Sequence, residues 1–163
     1  METREHRLFR ALDTEGSNQL TPDNLLSVLE DAGFDRNDPR LEELYARLDA
    51  LNHEKKTIDF DRFVDLLGTA GLLVTRAITG ALAIPDFKDF SRRLISMFED
   101  VNENQSGHKA DYIPPLAQVD EEQFGVSVVT IDGQMFSHGD AAVDFSIQST
   151  CKPFNYCFAS EER

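Results

Sequence analysis

The sequence predicts an α-helical N-terminal domain followed by the truncated start of an α/β domain. Through residues 1–104, apolar side chains recur at intervals of three and four, which is typical of helices with one buried face. The pattern then changes to short β-rich runs on either side of Asp132-Gly133, a dipeptide typical of hairpin turns. We therefore predict three units: a paired helix-loop-helix domain at 1–70, connecting helices at 71–104, and the incomplete N-terminal part of a second domain at 105–163.

Residues 1–70 contain the same helix-loop-helix plan twice. The apolar helical positions of the first half are Leu8, Phe9, Leu12, Leu25, Leu26, Val28 and Leu29, and those of the second are Leu41, Leu44, Tyr45, Leu48, Phe60, Phe63, Leu66 and Leu67. A polar loop interrupts each set. Two such units in succession resemble a paired EF-hand, in which Leu20 and Ile58 are expected to form the short β-bridge between the loops.

Neither loop carries the full set of residues that hold calcium in an EF-hand, although Glu15 and Ser17 fall on the third and fifth ligand positions of the first. The first has Asp13 at the first ligand position and Asn18 at the sharp turn, where glycine is usual and asparagine is the next most tolerant residue. The last position requires a bidentate glutamate, but Asn24 stands there. The second loop has Leu51 and Arg62 at the two ends. We therefore expect the EF-hand shape without calcium, and the hypothesis of a calcium sensor is disfavoured.

Composition and charge exclude several classes of partner. The chain has 163 residues, 40% of them hydrophobic, and a formal net charge of −14. An acidic surface without a basic patch argues against nucleic acid and against an anionic membrane. The N-terminus lacks the apolar core of a signal peptide. The two cysteines, Cys151 and Cys157, are too far apart along one helix to bridge. We predict a soluble, cytoplasmic protein.

The middle of the chain continues as helices before the pattern changes. One helix is predicted over 71–84 and another from Pro85 and Asp86, with Phe87, Phe90, Leu94, Phe98 and Val101 on one face. This aromatic stripe is interpreted as core or helix contact, not as a ligand site. A polar turn at 102–109 separates the helices from the predicted hairpin, whose first run spans 124–131 and whose second ends near His138.

One serine-lysine pair is a candidate for catalysis. Ser149 precedes Lys152 by three residues, and an apolar stretch comes before it. At a helix N-terminus this spacing puts the two side chains on one face, one turn apart. A lysine withdrawn from water loses its proton more readily and can then accept the proton of the serine. Backbone N–H groups at the same terminus can stabilise an oxyanion.

The spacing alone is weak support, because short motifs recur by chance. Ser106 and Lys109 have the same spacing, in a polar turn with no apolar context. The alternative interpretation of Ser149 and Lys152 is therefore an accident of composition.

Three longer segments carry a resemblance to a known family. They are "IPDFKDF" with its following helix, "HKADYIPPLAQVD", and "FGVSVVTIDGQMFSHGDAAVDFSIQSTCKP". In this order and at about this spacing they resemble the serine-dependent glutaminases, in particular the longer type with a helical N-terminal extension. The resemblance implies hydrolysis of L-glutamine to L-glutamate and ammonia. It also implies a β-lactamase/transpeptidase-like fold for the second domain, a homo-oligomer, and no metal or organic cofactor.

The resemblance assigns roles to four residues. It implies that Ser149 is the nucleophile, with its own N–H in the oxyanion hole, and that Lys152 is the general base. Gln148 matches a position that contacts substrate. Tyr112 of "DYIPPLA" matches a tyrosine that lies beside the nucleophile and helps to hold substrate and protons in place. The family commonly has Cys-Val between the serine and the lysine, whereas this chain has Thr150-Cys151.

Length is the larger departure from the family. Members continue well beyond this motif and supply an asparagine, a glutamate and further tyrosines. We therefore interpret the chain as an N-terminal fragment, with 105–163 poorly ordered and the isolated chain inactive. The hairpin is expected to have open edges and little to pack on. The alternative function is a non-catalytic helical oligomerisation or interaction module. A β-lactam-binding protein is disfavoured, because the required export signal and later motifs are not found.

Overall fold

A computed structural model describes residues 2–161. Within that range the chain forms seven α-helices and one antiparallel pair of strands. The helices are α1 (Arg4–Leu12), α2 (Pro22–Asp31), α3 (Glu42–His53), α4 (Phe60–Leu67), α5 (Gly71–Ile78), α6 (Phe87–Asn102) and α7 (Lys152–Glu161). The strands are β1 (Gly125–Val129) and β2 (Met135–Gly139). No described helix has the length and apolar character needed to cross a membrane.

Helices α1 to α5 enclose the hydrophobic core. The predicted apolar stripes supply most of it, and Phe63, Leu29 and Leu48 are fully buried. The loop-to-loop bridge forms as predicted: the N–H of Leu20 donates to the carbonyl of Ile58 at 2.9 Å, and the reciprocal bond is 2.8 Å. This is the arrangement of a paired EF-hand. With the strand pair that follows, it confirms the predicted fold class.

Aspartates set the start of α4 and α6. The carboxylates of Asp59 and Asp86 each accept a hydrogen bond, both 2.9 Å long, from the N–H three residues on, at Arg62 and Asp89. Such caps satisfy an N–H that has no partner within the helix. The sequence placed Pro85 in the first turn of α6, which is wrong. Because Asp86 takes the capping position, Pro85 lies just before the helix.

The helix predicted over 71–84 is shorter in the structure. It ends at Ile78, and Gly80 adopts a positive φ of 64°. The N–H of Ala81 then donates to the carbonyl of Arg76 at 2.8 Å, which closes the last turn. Glycine takes this left-handed conformation at no steric cost, so the chain leaves the helix there. The apolar residues keep their helical spacing beyond Gly80, so the sequence pattern did not indicate where the helix ends.

The predicted hairpin is present, with Ser127 opposite Ser137 in its centre and Gly133 in the turn at a φ of 88°. The expectation that little packs on it is wrong at its two ends. Asp132 and Gln134, at the tip, are buried against the helical half. At the base, the rings of Phe98 in α6 and Phe124 stack with centroids 4.5 Å apart. Between residues 105 and 161, only these two tip residues are buried.

Tyr45 makes the stability of the helical core sensitive to alkaline pH. Its ring is 4% exposed, and burial raises the pKa of its hydroxyl to about 12. The unfolded chain has the ordinary pKa of 10.0. The folded state therefore binds the proton more tightly. The resulting stabilisation is complete below pH 10 and is lost as pH rises towards 12.

Between about pH 9 and 11, the free energy of unfolding of the wild type should fall by about 1 kcal/mol more than that of Tyr45→Phe. Urea denaturation at each pH measures the difference, and the phenylalanine variant retains the ring while removing the titrating group. Parallel losses in the two proteins would show that Tyr45 does not titrate differently in the folded state.

Candidate active site

Ser149 lies one turn before the start of the last described helix. A short 3-10 turn, Gln148–Cys151, leads directly into α7, and the N–H of Lys152 donates to the carbonyl of Ser149. Pro153 occupies the second position of α7, where its missing N–H costs no helical hydrogen bond. The local sequence thus sets the helix start beside the serine, as the sequence analysis expected.

Gln148 has an unusual backbone conformation. Its φ is +36°, a region that residues other than glycine rarely occupy. Its carbonyl accepts a hydrogen bond from the thiol of Cys151 at 2.8 Å, and the N–H of Thr150 donates to the carbonyl of Ile147 at 2.8 Å. Conformations of this kind cost about 1–3 kcal/mol and cluster at functional sites. No sequence signal indicated this feature, since glutamine has no special preference for positive φ.

The side chain of Tyr112 contacts the turn at Gln148, which is 36 positions further along the chain. Its hydroxyl donates a hydrogen bond to Oε1 of Gln148 at 2.5 Å. The structure therefore brings together Tyr112 and Gln148, next to Ser149, although the tyrosine ring is 70% exposed. Sequence spacing does not reveal this contact, because the intervening segment folds back through the hairpin.

Ser149 lies in the turn and Lys152 is the first residue of α7, but their side chains do not bind each other. Both residues are exposed. Within residues 2–161, no hydrogen bond joins the Ser149 hydroxyl to the Lys152 ammonium. The expected burial of Lys152 is thus not found in this chain. The reason is that α7 presents no buried residue and packs on little besides the turn that precedes it.

A partly open cavity of about 560 Å³ lies in the same half of the chain. Its lining includes Val126 of β1, Leu116, Val143 and Phe145. The four candidate residues lie outside this lining. The cavity is largely apolar and lies between the hairpin base and the chain that leads to Ser149.

The first EF-hand-like loop uses its polar groups to hold its own backbone. The two carboxylate oxygens of Asp13 accept hydrogen bonds from the N–H groups of Ser17 and Asn18, at 3.0 and 2.8 Å. Asn18 has the expected positive φ, 57°. Asn24, at the last ligand position, accepts from the N–H of Thr21 at 2.7 Å. This contact caps α2 and directs the side-chain oxygen to the helix start.

Comparison with known families matches both halves of the chain. A model described as EF-hand domain matches residues 4–85, and a model described as glutaminase matches residues 107–163. The chain belongs to the EF-hand domain family by its first half, and its residues 107–163 match the glutaminase family. The glutaminase match contains all four candidate residues, and the EF-hand match contains the paired helix-loop-helix core.

Several curated glutaminases are similar in sequence to this chain. The "Glutaminase liver isoform, mitochondrial" of Mus musculus is 30% identical over 148 residues, which are 89% of this chain and 25% of that protein. "Putative glutaminase 3" of Caenorhabditis elegans is 29% identical over 163 residues, covering 95% of this chain and 28% of the relative. The "Thermolabile glutaminase" of Rhizobium etli is 48% identical over 67 residues, which are 40% of this chain and 22% of that protein. The chain thus spans about a quarter of the length of the curated relatives it matches.

Proposed function

We propose that this chain contributes the N-terminal part of a glutaminase, which hydrolyses L-glutamine to L-glutamate and ammonia. The observation that carries the proposal is the glutaminase match over residues 107–163, which includes Tyr112, Gln148, Ser149 and Lys152. The turn that leads into α7 supports it. This turn places the serine and the lysine one helical turn apart at a helix N-terminus.

In the first step, Ser149 attacks the side-chain carboxamide carbon of glutamine. Its hydroxyl proton passes to the amine of Lys152, which acts as general base. The carbonyl oxygen becomes an oxyanion, and the N–H of Ser149 donates to it. Because the 3-10 turn ends in α7, the partial positive charge of the helix N-terminus adds to this stabilisation.

In the second step, the tetrahedral intermediate breaks its carbon–nitrogen bond. Lys152 returns its proton to the departing nitrogen, which leaves as ammonia. A γ-glutamyl ester on Ser149 remains. Water then attacks the ester carbonyl and gives a proton to Lys152. The bond to the Ser149 oxygen breaks, Lys152 passes the proton to that oxygen, and L-glutamate leaves with the serine hydroxyl restored.

Tyr112 and Gln148 bind and orient the substrate in this proposal. The hydrogen bond between them fixes the carboxamide of Gln148 beside the nucleophile. Gln148 holds the left-handed backbone conformation that starts the turn carrying Ser149. Lys152, which is exposed in this chain, requires a covering segment that excludes water from the pair.

The proposal is tested by measuring ammonia and glutamate after incubation with L-glutamine. The assay uses this chain and, where its gene encodes further residues, the longer product. We expect ammonia and glutamate in equal amounts from the form of the protein in which further residues cover Ser149 and Lys152. The absence of ammonia from every form would contradict the proposal.

One observation favours a second candidate, a non-catalytic helical interaction module. The hydrophobic core lies in the N-terminal half, whereas Ser149 and Lys152 are exposed and make no contact with each other through their side chains. A protein that assembles but releases no ammonia in any form would support this candidate.

Self-association is part of the proposal. Several aromatic side chains of the glutaminase-like segment are largely exposed: Phe145 at 71%, Phe154 at 66%, Tyr156 at 76% and Phe158 at 66%. Burial of such side chains in an interface is favourable. Light scattering after gel filtration measures the assembly, and a monomer at all concentrations would exclude it.

We also propose a cytoplasmic location, which is supported by the free state of Cys151 and Cys157. The Mus musculus relative carries "mitochondrial" in its name. Fractionation of cells that produce the protein distinguishes the two locations.

Calcium is expected to leave the stability of the chain unchanged. The last ligand position of the first loop holds Asn24, which caps α2, and that of the second loop holds Arg62. A calcium ion there lacks the bidentate carboxylate that EF-hands use. Thermal unfolding in millimolar calcium and in chelator should give the same Tm, within about 1 °C. The matched control is Asn24→Glu, which restores the ligand. A Tm increase with calcium in the wild type would show that the loop binds the ion.

A further inference from the structure

The tip of the hairpin carries two buried polar side chains whose partners lie in the EF-hand-like half. Asp132 is 5% exposed and Gln134 is fully buried. Groups of this kind are placed inside a protein only where their hydrogen bonds are satisfied, because desolvation is otherwise costly. Among the residues that the structure describes, no buried side-chain nitrogen or oxygen lacks a partner.

Asp132 is held from two sides of the helical domain. Its carboxylate accepts two hydrogen bonds from the guanidinium of Arg76, at 2.5 and 3.0 Å, and one from the N–H of Ala83 at 2.6 Å. Its backbone carbonyl accepts from Arg40 at 2.8 Å. Arg40 is itself paired with Asp38 through bonds of 2.9 and 2.6 Å. A bidentate arginine–carboxylate pair fixes orientation as well as distance.

Gln134 binds backbone groups of two separate segments. Its amide nitrogen donates to the carbonyls of Ala32 and Ile84, both at 2.9 Å, and its oxygen accepts from the N–H of Ile84 at 3.0 Å. The backbone of the next residue adds to this contact: the N–H of Met135 donates to the carbonyl of Gly33 at 2.7 Å. One carboxamide thus connects the end of α2 with the segment before α6.

The hairpin turn lies close to Arg40. A Cβ added to Gly133, in the hairpin turn, would lie 2.1 Å from the guanidinium of Arg40. The chain between α6 and β1 is by contrast mostly exposed. Chain connection through this exposed segment does not explain the position of the hairpin. The contacts of its tip do, together with the stacking of Phe98 on Phe124 at its base.

We propose that Ala32, Gly33, Arg40, Arg76, Ala83 and Ile84 form a docking site for the hairpin tip, here named the hairpin dock. Its occupant is the Asp132-Gly133-Gln134 turn of the same chain. The dock recognises a carboxylate followed two residues later by a carboxamide. It holds the glutaminase-like segment on the EF-hand-like domain. This role is independent of the proposed reaction.

Hydrogen exchange of the full chain, resolved by residue, tests the dock. The test variant is Gln134→Met, which keeps the side-chain length and removes its hydrogen bonds. The matched control is Gln118→Met, because Gln118 is exposed and its side chain has no partner in the described chain. We expect amides of β1 and β2 to exchange about ten- to a hundredfold faster in the test variant, and amides of α1 to α4 to be unchanged.

A second variant keeps the test valid should Gln134→Met fail to fold. Asp132→Asn retains the shape and removes the charge that pairs with Arg76, and Asp144→Asn is its control on an exposed acid. The same local acceleration supports the dock. Unchanged strand protection in both variants would overturn it. Equal acceleration in α1 to α4 would also overturn it, since the tip would then be part of one cooperative core and not a separate contact.

Discussion

Ser149→Ala is expected to abolish ammonia release from L-glutamine, lowering kcat by at least about a thousandfold in whichever form of the protein is active. The hydroxyl forms the bond to the substrate carbon, and alanine offers no nucleophile in its place. Because Ser149 is exposed and its side chain forms no hydrogen bond with residues 2–161, the free energy of unfolding should change by less than about 0.5 kcal/mol. Activity and urea denaturation are measured on the same preparation.

The chain supplies a matched control for this variant. Ser106 also precedes a lysine, Lys109, by three residues, but it lies in an exposed turn where its hydroxyl donates to the side chain of Asn104 at 2.6 Å. Ser106→Ala should therefore retain full activity. Loss of activity in both variants, or in neither, would contradict the assignment of Ser149 as nucleophile.

Gly33→Ala is expected to lower the free energy of unfolding by about 2–5 kcal/mol. Gly33 has a φ of 83°, and a left-handed backbone costs a residue with a Cβ about 1–2 kcal/mol. The new Cβ would also lie 2.2 Å from the ring of Phe87, which is 3% exposed and lies close to the core. Overpacking of this kind costs about 1–3 kcal/mol more. Urea denaturation measures the sum.

Gly16→Ala separates the two causes. Gly16 has a similar φ of 66°, but a Cβ there would have no atom within 4 Å. It should show the backbone cost alone, about 1–2 kcal/mol. If the two variants were equally destabilised, the contact between the α2–α3 loop and Phe87 would not constrain the fold.

The position of most helices and of the hairpin follows from short stretches of sequence. Apolar spacing indicated the core of α1 to α4, and the pairing of Leu20 with Ile58 was predicted from the loop positions alone. Asp132-Gly133 indicated the hairpin turn. These features depend on groups within a few residues of each other, so a local pattern describes them. The end of α5 was predicted wrongly, because apolar residues at helical spacing continue beyond the glycine that ends the helix.

The candidate site also has local features that the sequence predicts and a long-range contact that it does not. The spacing of Ser149 and Lys152 and the helix start beside them are local, and the sequence singled out both residues. The resemblance implied that Tyr112 lies beside the nucleophile, but its hydrogen bond to Gln148, 36 positions away, was not predicted. The roles of these four residues stay predictions until the kinetic experiments are done.

The amino-acid sequence was sufficient for the EF-hand-like plan, the hairpin turn, the position of the serine–lysine pair and the family resemblance. It gave no indication that Asp132 pairs with Arg76, or that Gln134 binds Ala32 and Ile84. These partners are 56, 102 and 50 positions away along the chain. Turns and caps form from neighbouring groups, whereas a buried contact between distant segments exists only once the core has placed both of them. For this reason the attachment of the glutaminase-like segment to the helical domain was visible only in the folded chain.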